Sequence, residues 1–394
     1  MSTSTSRGDG IRDKVAVIGM GCTPFGEHWN LSGEDMVVDA AFEAYEDAGI
    51  EPKDVEAAWV GTLSSSMSGF AASRPLKLDL MPVTRIENAC TTGMDTFRNA
   101  CFAVAAGMYD IVLAVGFEKL KDRDQRGLAG TFTTGHPVFY AGTGGPGAFA
   151  LAATRYFEAY GATKEHLGKI AVKNHHNGTL NPKAHFHREV TCEQVVGSFP
   201  IAYPLGLLDC APTTDGAAAA IICRADIAPK ITDEYVLVKG LGLAVSAGTG
   251  QARSDYDYTH FPEATASAKQ AYEQAGITDP LHELGTLEVH DCFTITELII
   301  YEDVGLCAKG EAKDHVDAGT FEIGGELPVN TSGGLKASGH PVGATGLRMI
   351  YEGYSQILGR AGKRQVSGVD LAMGLTLGGI PGMFTCGTAI VGRP

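Results

Sequence analysis

The chain has 394 residues, 44% of them hydrophobic and 20% charged, enough for two domains or one large double domain around a sizeable core. Its formal net charge of −15 excludes a general binder of nucleic acid or of acidic membranes. No apolar run can span a bilayer, because Asp110 interrupts the best candidate, Cys101 to Phe117.

The polar, Ser/Thr-rich segment Met1 to Asp13 lacks the apolar core of a signal peptide, and the C-terminal Val391-Gly392-Arg393-Pro394 is no peroxisomal address. Nine cysteines, an odd number with no Cys-x-x-Cys pair, suit free thiols in a reducing cytoplasm.

Val15 to Ile18 reads as a buried strand running into Gly19-Met20-Gly21. Pro24 stands where a dinucleotide fingerprint needs its third glycine, so that motif is rejected. A helix from about Met36 to Ala48 stops at Gly49, and Val55 to Val60 is the next strand. Asn88-Ala89-Cys90 then forms a turn before the apolar helix Thr91 to Gly107, followed by the strand Asp110 to Val115. A cysteine at such a helix start is expected to have a lowered pKa, and the free N–H groups there can receive an oxyanion.

From Lys119 to Glu189 ten Lys/Arg stand against five Asp/Glu, and six of the twelve histidines fall between 119 and 209. This segment carries a Gly-rich turn, Gly142 to Gly147, and two predicted helices, Ala148 to Tyr160 and Lys164 to His175. It reads as a lobe inserted into the first half, and a basic lobe on an acidic protein suits a small anionic ligand.

The order of elements then returns. Val236 to Gly242 repeats the strand followed by Gly-x-Gly, and Ala268 to Ile277 matches Ala41 to Ile50 at seven positions of ten. Strand Leu287 to Val289 runs into His290-Asp291-Cys292-Phe293 and the helix Ile295 to Val304. The turn Ser338-Gly339-His340-Pro341 opens another apolar helix, and Asp370 to Leu375 is the strand after it. A duplicated α/β unit with two related sheets follows, placing Cys90 and His340 at equivalent helix starts. Cys90 as nucleophile, His340 as base and Cys292 as a second acid/base make an acyl-transfer constellation. His290 with Cys292 lacks further ligands at useful spacing, so no metal is expected.

Four motifs in order, Asn88-Ala89-Cys90, Pro212 to Ala220, His290 to Phe293, and Asn330 to Gly334 running into Gly339-His340-Pro341, resemble the thiolase superfamily. The closer likeness is to its sterol-carrier-protein-2-like branch. The resemblance implies a five-layered αβαβα fold with an inserted loop domain, a tight dimer, and coenzyme A bound as co-substrate with no tightly held cofactor. Domain limits of 1–118 and 210–232 for the first half, 119–209 for the CoA-binding loop domain and 233–394 for the second half follow. It further implies that Cys90 is acylated and that His340 activates it. His340 and His290 would share one oxyanion hole, and Gly378 and the Cys90 amide would form another.

Many thiolases place a second catalytic cysteine in a Cys-x-Gly loop near the C-terminus. Here that loop reads Thr376-Leu377-Gly378-Gly379, so Cys292 takes the role, and Cys386 reads as core on its strand. The implied reaction is cleavage of a 3-oxoacyl-CoA or the reverse condensation, in the cytoplasm. A small zinc-ribbon/OB-fold subunit is an implied partner, and benzoylsuccinyl-CoA-type thiolases are among the implied relatives. A 3-hydroxyacyl-CoA aldolase and a non-catalytic scaffold on the same fold are the competing readings. A ketoacyl synthase would want two histidines and no second thiol.

Overall fold

A computed structural model describes residues 10–122 and 144–394. The polar residues 1–9, part of the basic segment and the start of the Gly-rich turn lie outside the described residues.

The first half contains β1 (Val15–Cys22), β2 (Ala57–Gly61), β3 (Val83–Ile86) and β4 (Ile111–Glu118). The chain then passes through a small hairpin, β5 (Pro200–Ala202) with β6 (Leu205–Gly206), before β7 (Gly216–Arg224) closes the half. The second half supplies β8 (Val236–Val245), β9 (Thr286–Val289), β10 (Leu371–Ile380) and β11 (Met383–Gly392).

The strand order β3-β2-β4-β7-β1-β8-β11-β10-β9 is a palindrome of one unit. In each half a first strand lies beside the last one, and two parallel strands continue outward. The place opposite β3 is taken by residues 328–330, which bridge β9 through Leu287 and Val329. The repeat predicts two sheets. The structure joins them edge to edge, because Ala16 and Val17 of β1 pair with Leu237 and Val236 of β8.

Layers follow from the alternation of side chains along each strand. On β7, Ala217, Ala219, Ile221 and Cys223 pack into an outer core with helix Gly33–Ala48. Ala218, Ala220 and Ile222 face the opposite way, into a central core. Two helices fill that centre, Thr92–Ala105 and Val342–Ile357, and each touches strands of both halves. A third core covers the outer face of the second half, under helices Gly145–Tyr160, Pro262–Ala275 and Thr294–Asp303. The result is helix, sheet, helix, sheet, helix.

Local signals explain the element ends. Ser32 caps helix Gly33–Ala48 in a reciprocal capping box with Asp35, and Gly49 ends it in the left-handed region at φ 68°. The His340 helix begins at Val342, with Pro341 at the cap.

The two central helices cross at their first turns. A Cβ on Gly93 would lie 2.6 Å from the Gly343 carbonyl oxygen, and one on Gly346 would lie 2.2 Å from the Met94 nitrogen. Only glycine permits this approach, and it brings the segments just ahead of both helices together.

Candidate active site

Cys90 and His340 each stand two residues before their central helix, at Thr92 and Val342. The glycine crossing therefore carries both into one place, and His290 arrives from the end of β9. The Cys90 sulfur and a ring nitrogen from each of His290 and His340 all lie within 4.8 Å of one another. The two imidazoles meet edge to face, with ring centres 5.2 Å apart.

Each residue is held from behind. Ala89 has φ +48°, an unusual conformation for alanine, which lifts Cys90 out of the helix line. His340 follows Gly339 at φ +100°, where a Cβ would strike Thr214 at 2.6 Å. Its Nδ1 lies 2.8 Å from the Thr345 hydroxyl, which itself donates to the Pro341 carbonyl at 2.9 Å. The hydroxyl has one proton and spends it on Pro341, so it accepts from His340. His340 Nε2 is left as a bare, buried lone pair with no partner among the described residues. Glu118 fastens the arrangement to β4 by accepting from the Gly343 N–H at 3.2 Å and from Thr62 and Leu63.

The His290-Asp291-Cys292 segment rests on a buried polar network. The Asp291 carboxylate accepts from the N–H groups of Leu335 and Lys336 at 2.5 and 3.0 Å, and from Asn174 at 2.8 Å. Glu297 accepts from Lys173 at 2.7 Å, from Asn174 at 2.6 Å and from Asn330 at 3.0 Å. Asn330 also accepts the Val289 N–H at 2.9 Å, pinning the end of β9. The Asn330 to Gly334 motif thus serves as the support of the His290 strand end. Burial beside Glu297 raises the Asp291 carboxyl above its usual range.

Electrostatics correct one expectation. The helix start was expected to lower the Cys90 pKa, yet its dehydrated surroundings push the thiol up to about 12, against a hydrogen bond from the Gly379 N–H that favours the thiolate. Burial also drives His340 down to about 3, with the Arg348 guanidinium adding to it. Burial and the neighbouring His340 hold His290 well below its usual value. Burial, then the nearby Cys90, keeps the Cys292 thiol well above its usual value, with Thr296 Oγ1 at 3.7 Å from its sulfur. The resting groups are neutral: two thiols and two imidazoles.

Gly378 lies against the backbone of Cys90, since a Cβ there would be 2.6 Å from the Cys90 nitrogen. The next residue, Gly379, is the one whose N–H reaches the sulfur. Two glycines in a row gave no signal to separate these parts. Thr345 and Glu118 were also missed, for a threonine in a helical turn and an acid at a strand end are ordinary in sequence. Cys386 is fully buried on β11, as expected of a core residue.

A helix-start nucleophile, a base oriented by a hydroxyl, a second thiol and amides facing the nucleophile define an acyl-transfer site. The family model described as thiolase, N-terminal domain, matches residues 15–198, and thiolase C-terminal domain-like matches 244–393. An acetyl-CoA acetyltransferase of Methanothermobacter thermautotrophicus is 41% identical, the match covering 97% of this chain and 99% of the relative. Sterol carrier protein 2 of Oryctolagus cuniculus is 33% identical, over 93% of this chain and 70% of the relative. Among solved structures, a chain of the Ltp2-ChsH2(DUF35) aldolase aligns with a TM-score of 0.85 at 27% identity, over 97% of this chain and 98% of that one. The chain belongs to the thiolase superfamily, in its sterol-carrier-protein-2-like branch. It is an acyltransferase of the thiolase type.

Proposed function

We propose that the protein is a 3-oxoacyl-CoA thiolase working through an acyl-Cys90 intermediate. The observation that carries this is the meeting of the Cys90 sulfur with a ring nitrogen of His290 and of His340 within 4.8 Å, together with a His340 Nε2 that is buried without a partner among the described residues. In the cleavage direction His340 takes the Cys90 proton as the sulfur attacks the 3-keto carbon. The tetrahedral oxygen faces the amides of Cys90 and the Gly378–Gly379 turn. The Cα–Cβ bond breaks, and Cys292, kept as a thiol by burial, protonates the departing enolate. His340, having gained a proton at Nε2, can then donate beside His290 to the thioester oxygen. The Cys292 thiolate then takes the proton of incoming CoA, whose sulfur attacks the acyl carbonyl, and Cys90 leaves and recovers its proton from His340. The reverse sequence is a Claisen condensation.

Coenzyme A is the co-substrate of this reading, bound by the loop domain 119–209 between the parts of the first half, 1–118 and 210–232, and the second half, 233–394. The acetyl-CoA acetyltransferase relatives support a short acyl group, while branched and aryl groups of the benzoylsuccinyl kind are the other candidates. A homodimer is part of the reading: β3 is an edge strand, and Met67, Phe70 and Leu80 around it are 84%, 72% and 98% exposed. The DUF35 component named with the aldolase chain supports a small zinc-ribbon/OB-fold partner. No helix among the described residues is long and apolar enough to cross a membrane, in keeping with the proposed cytoplasmic location.

The test is CoA-dependent cleavage of short, branched and aryl 3-oxoacyl-CoAs, with and without a partner subunit. Turnover with a trapped acyl-Cys90 is the expected result, and no cleavage of any of them overturns it. The similarity to an aldolase favours one second reading, retro-aldol cleavage of a 3-hydroxyacyl-CoA. That reaction needs no acyl-enzyme, so it would survive Cys90→Ala.

A further inference from the structure

The same three side chains have a second chemical capacity. One thiol sulfur and two imidazole nitrogens converge within 4.8 Å, and no carboxylate belongs to the cluster. His290 and His340 are 1% and 6% exposed, and His290 Nδ1 and His340 Nε2 are buried without a hydrogen-bond partner among the described residues. Two imidazoles, each with a buried nitrogen that has no partner among the described residues, standing beside a sulfur are a donor set in need of an acceptor. Thr345 holds the far nitrogen of His340, as carbonyls and carboxylates hold the rings of metal-bound histidines.

We propose that Cys90, His290 and His340 form a chelating site for a soft divalent cation, zinc in the first place, that competes with the acyl-CoA. Sulfur with imidazole selects zinc or cobalt over magnesium and calcium, which want oxygen. Around tetrahedral zinc, with bonds of about 2.3 Å to sulfur and about 2.0 Å to nitrogen, the donors sit roughly 3.5 Å apart. The cluster therefore needs to contract by up to about 1.3 Å, within the reach of side-chain rotation. Three protein donors leave a fourth position for water. Binding turns the Cys90 thiol into a metal thiolate and releases one proton to the buffer. The bound state removes both the nucleophile and the base, so it is inactive and reversible by a chelator. Metal binding stands on the geometry alone, whereas the inhibition rests on the acyl-transfer reading.

Cobalt(II) titrated into the reduced full-length protein is expected to give a sulfur-to-cobalt charge-transfer band in the near ultraviolet. It should saturate at one equivalent per chain and be bleached by zinc. Cys90→Ser should lose the band, and His340→Asn should lose it or weaken cobalt binding, with circular dichroism confirming that each variant is folded. Cys192→Ser, which changes a thiol on a separate short helix, should leave it unchanged. Absence of the band, or a band that survives Cys90→Ser in folded protein, overturns the site. Zinc should also inhibit acyl transfer competitively, with EDTA restoring the rate. A Cys90-dependent band without inhibition supports the metal site and counts against Cys90 as the nucleophile.

Discussion

His340 gives its Nδ1 proton to Thr345, 2.8 Å away, because the Thr345 proton is already committed to the Pro341 carbonyl. One hydroxyl thereby selects the tautomer that leaves Nε2 free to act as a base.

Thr345→Val removes that partner with little change of shape. We expect kcat to fall by about 10- to 100-fold with KM nearly unchanged, as the imidazole loses its preferred tautomer and orientation. Thr345→Ser should restore most of the rate. Steady-state kinetics on the three proteins check this, and an unaltered kcat in the valine variant would remove Thr345 from the machinery.

Cys90 and Cys292 should separate the two halves of the reaction. Cys292→Ala is expected to keep exchange of an acyl group between CoA thioesters, which needs only Cys90 and His340. Carbon–carbon cleavage should fall by about 10²- to 10⁴-fold, the usual worth of a positioned acid/base. Cys90→Ala should lose both activities. Isotope exchange between labelled CoA and acyl-CoA reads the first, and enolate protonation the second.

The neutral resting state predicts an unusual alkylation profile. With the thiol pushed up to about 12 and His340 down to about 3, little thiolate exists at neutral pH in the free protein. Iodoacetamide should modify Cys90 slowly, with a rate still climbing from pH ~7 to ~10. A stored thiolate–imidazolium pair would instead show a plateau near neutrality.

His175 should make stability depend on pH. Burial, aided by the nearby Lys336 ammonium, lowers it from 6.5 to about 4. The unfolded chain thus binds a proton that the folded chain refuses between these values. The contribution is complete above pH 6.5 and is lost as pH falls toward 4, by roughly 3 kcal/mol. Urea unfolding of His175→Asn should show a shallower loss over that window, while the buried His290 and His340 act equally in both proteins.

Gly93→Ala tests the helix crossing. The added Cβ would meet the Gly343 carbonyl oxygen at 2.6 Å, and backbone on both sides leaves little room to yield. We expect about 1–3 kcal/mol of destabilisation and a larger fractional loss of activity, because the strain pushes Cys90 away from His340. Thermal unfolding and kcat measured together distinguish displacement of the site from simple instability.

Much of this was legible in the chain. The likeness of Ala41 to Ile50 and Ala268 to Ile277 announced the duplication, and it put Cys90 and His340 at matching positions that the structure brings together. Strands and helices with steady periodicity matched the observed elements to within a few residues, since burial on one or both faces sets that pattern. What stayed hidden depends on contacts between distant segments. The edge pairing of β1 with β8 involves only two residues on each strand and has no local signature. The direction of the Gly379 N–H, the grip of Thr345 on His340 and the reach of Glu118 to Gly343 are likewise products of tertiary packing. The Cys90 pKa was misjudged because a helix start was weighed without the dehydration that the neighbouring half imposes.

The glycine crossing between the central helices also sets the order of events in biogenesis. The nucleophile is translated in the first half and the base some 250 residues later, so neither half can hold a working site alone. Catalytic competence therefore cannot precede the docking of the two units, so the return of activity during refolding reports that docking has taken place.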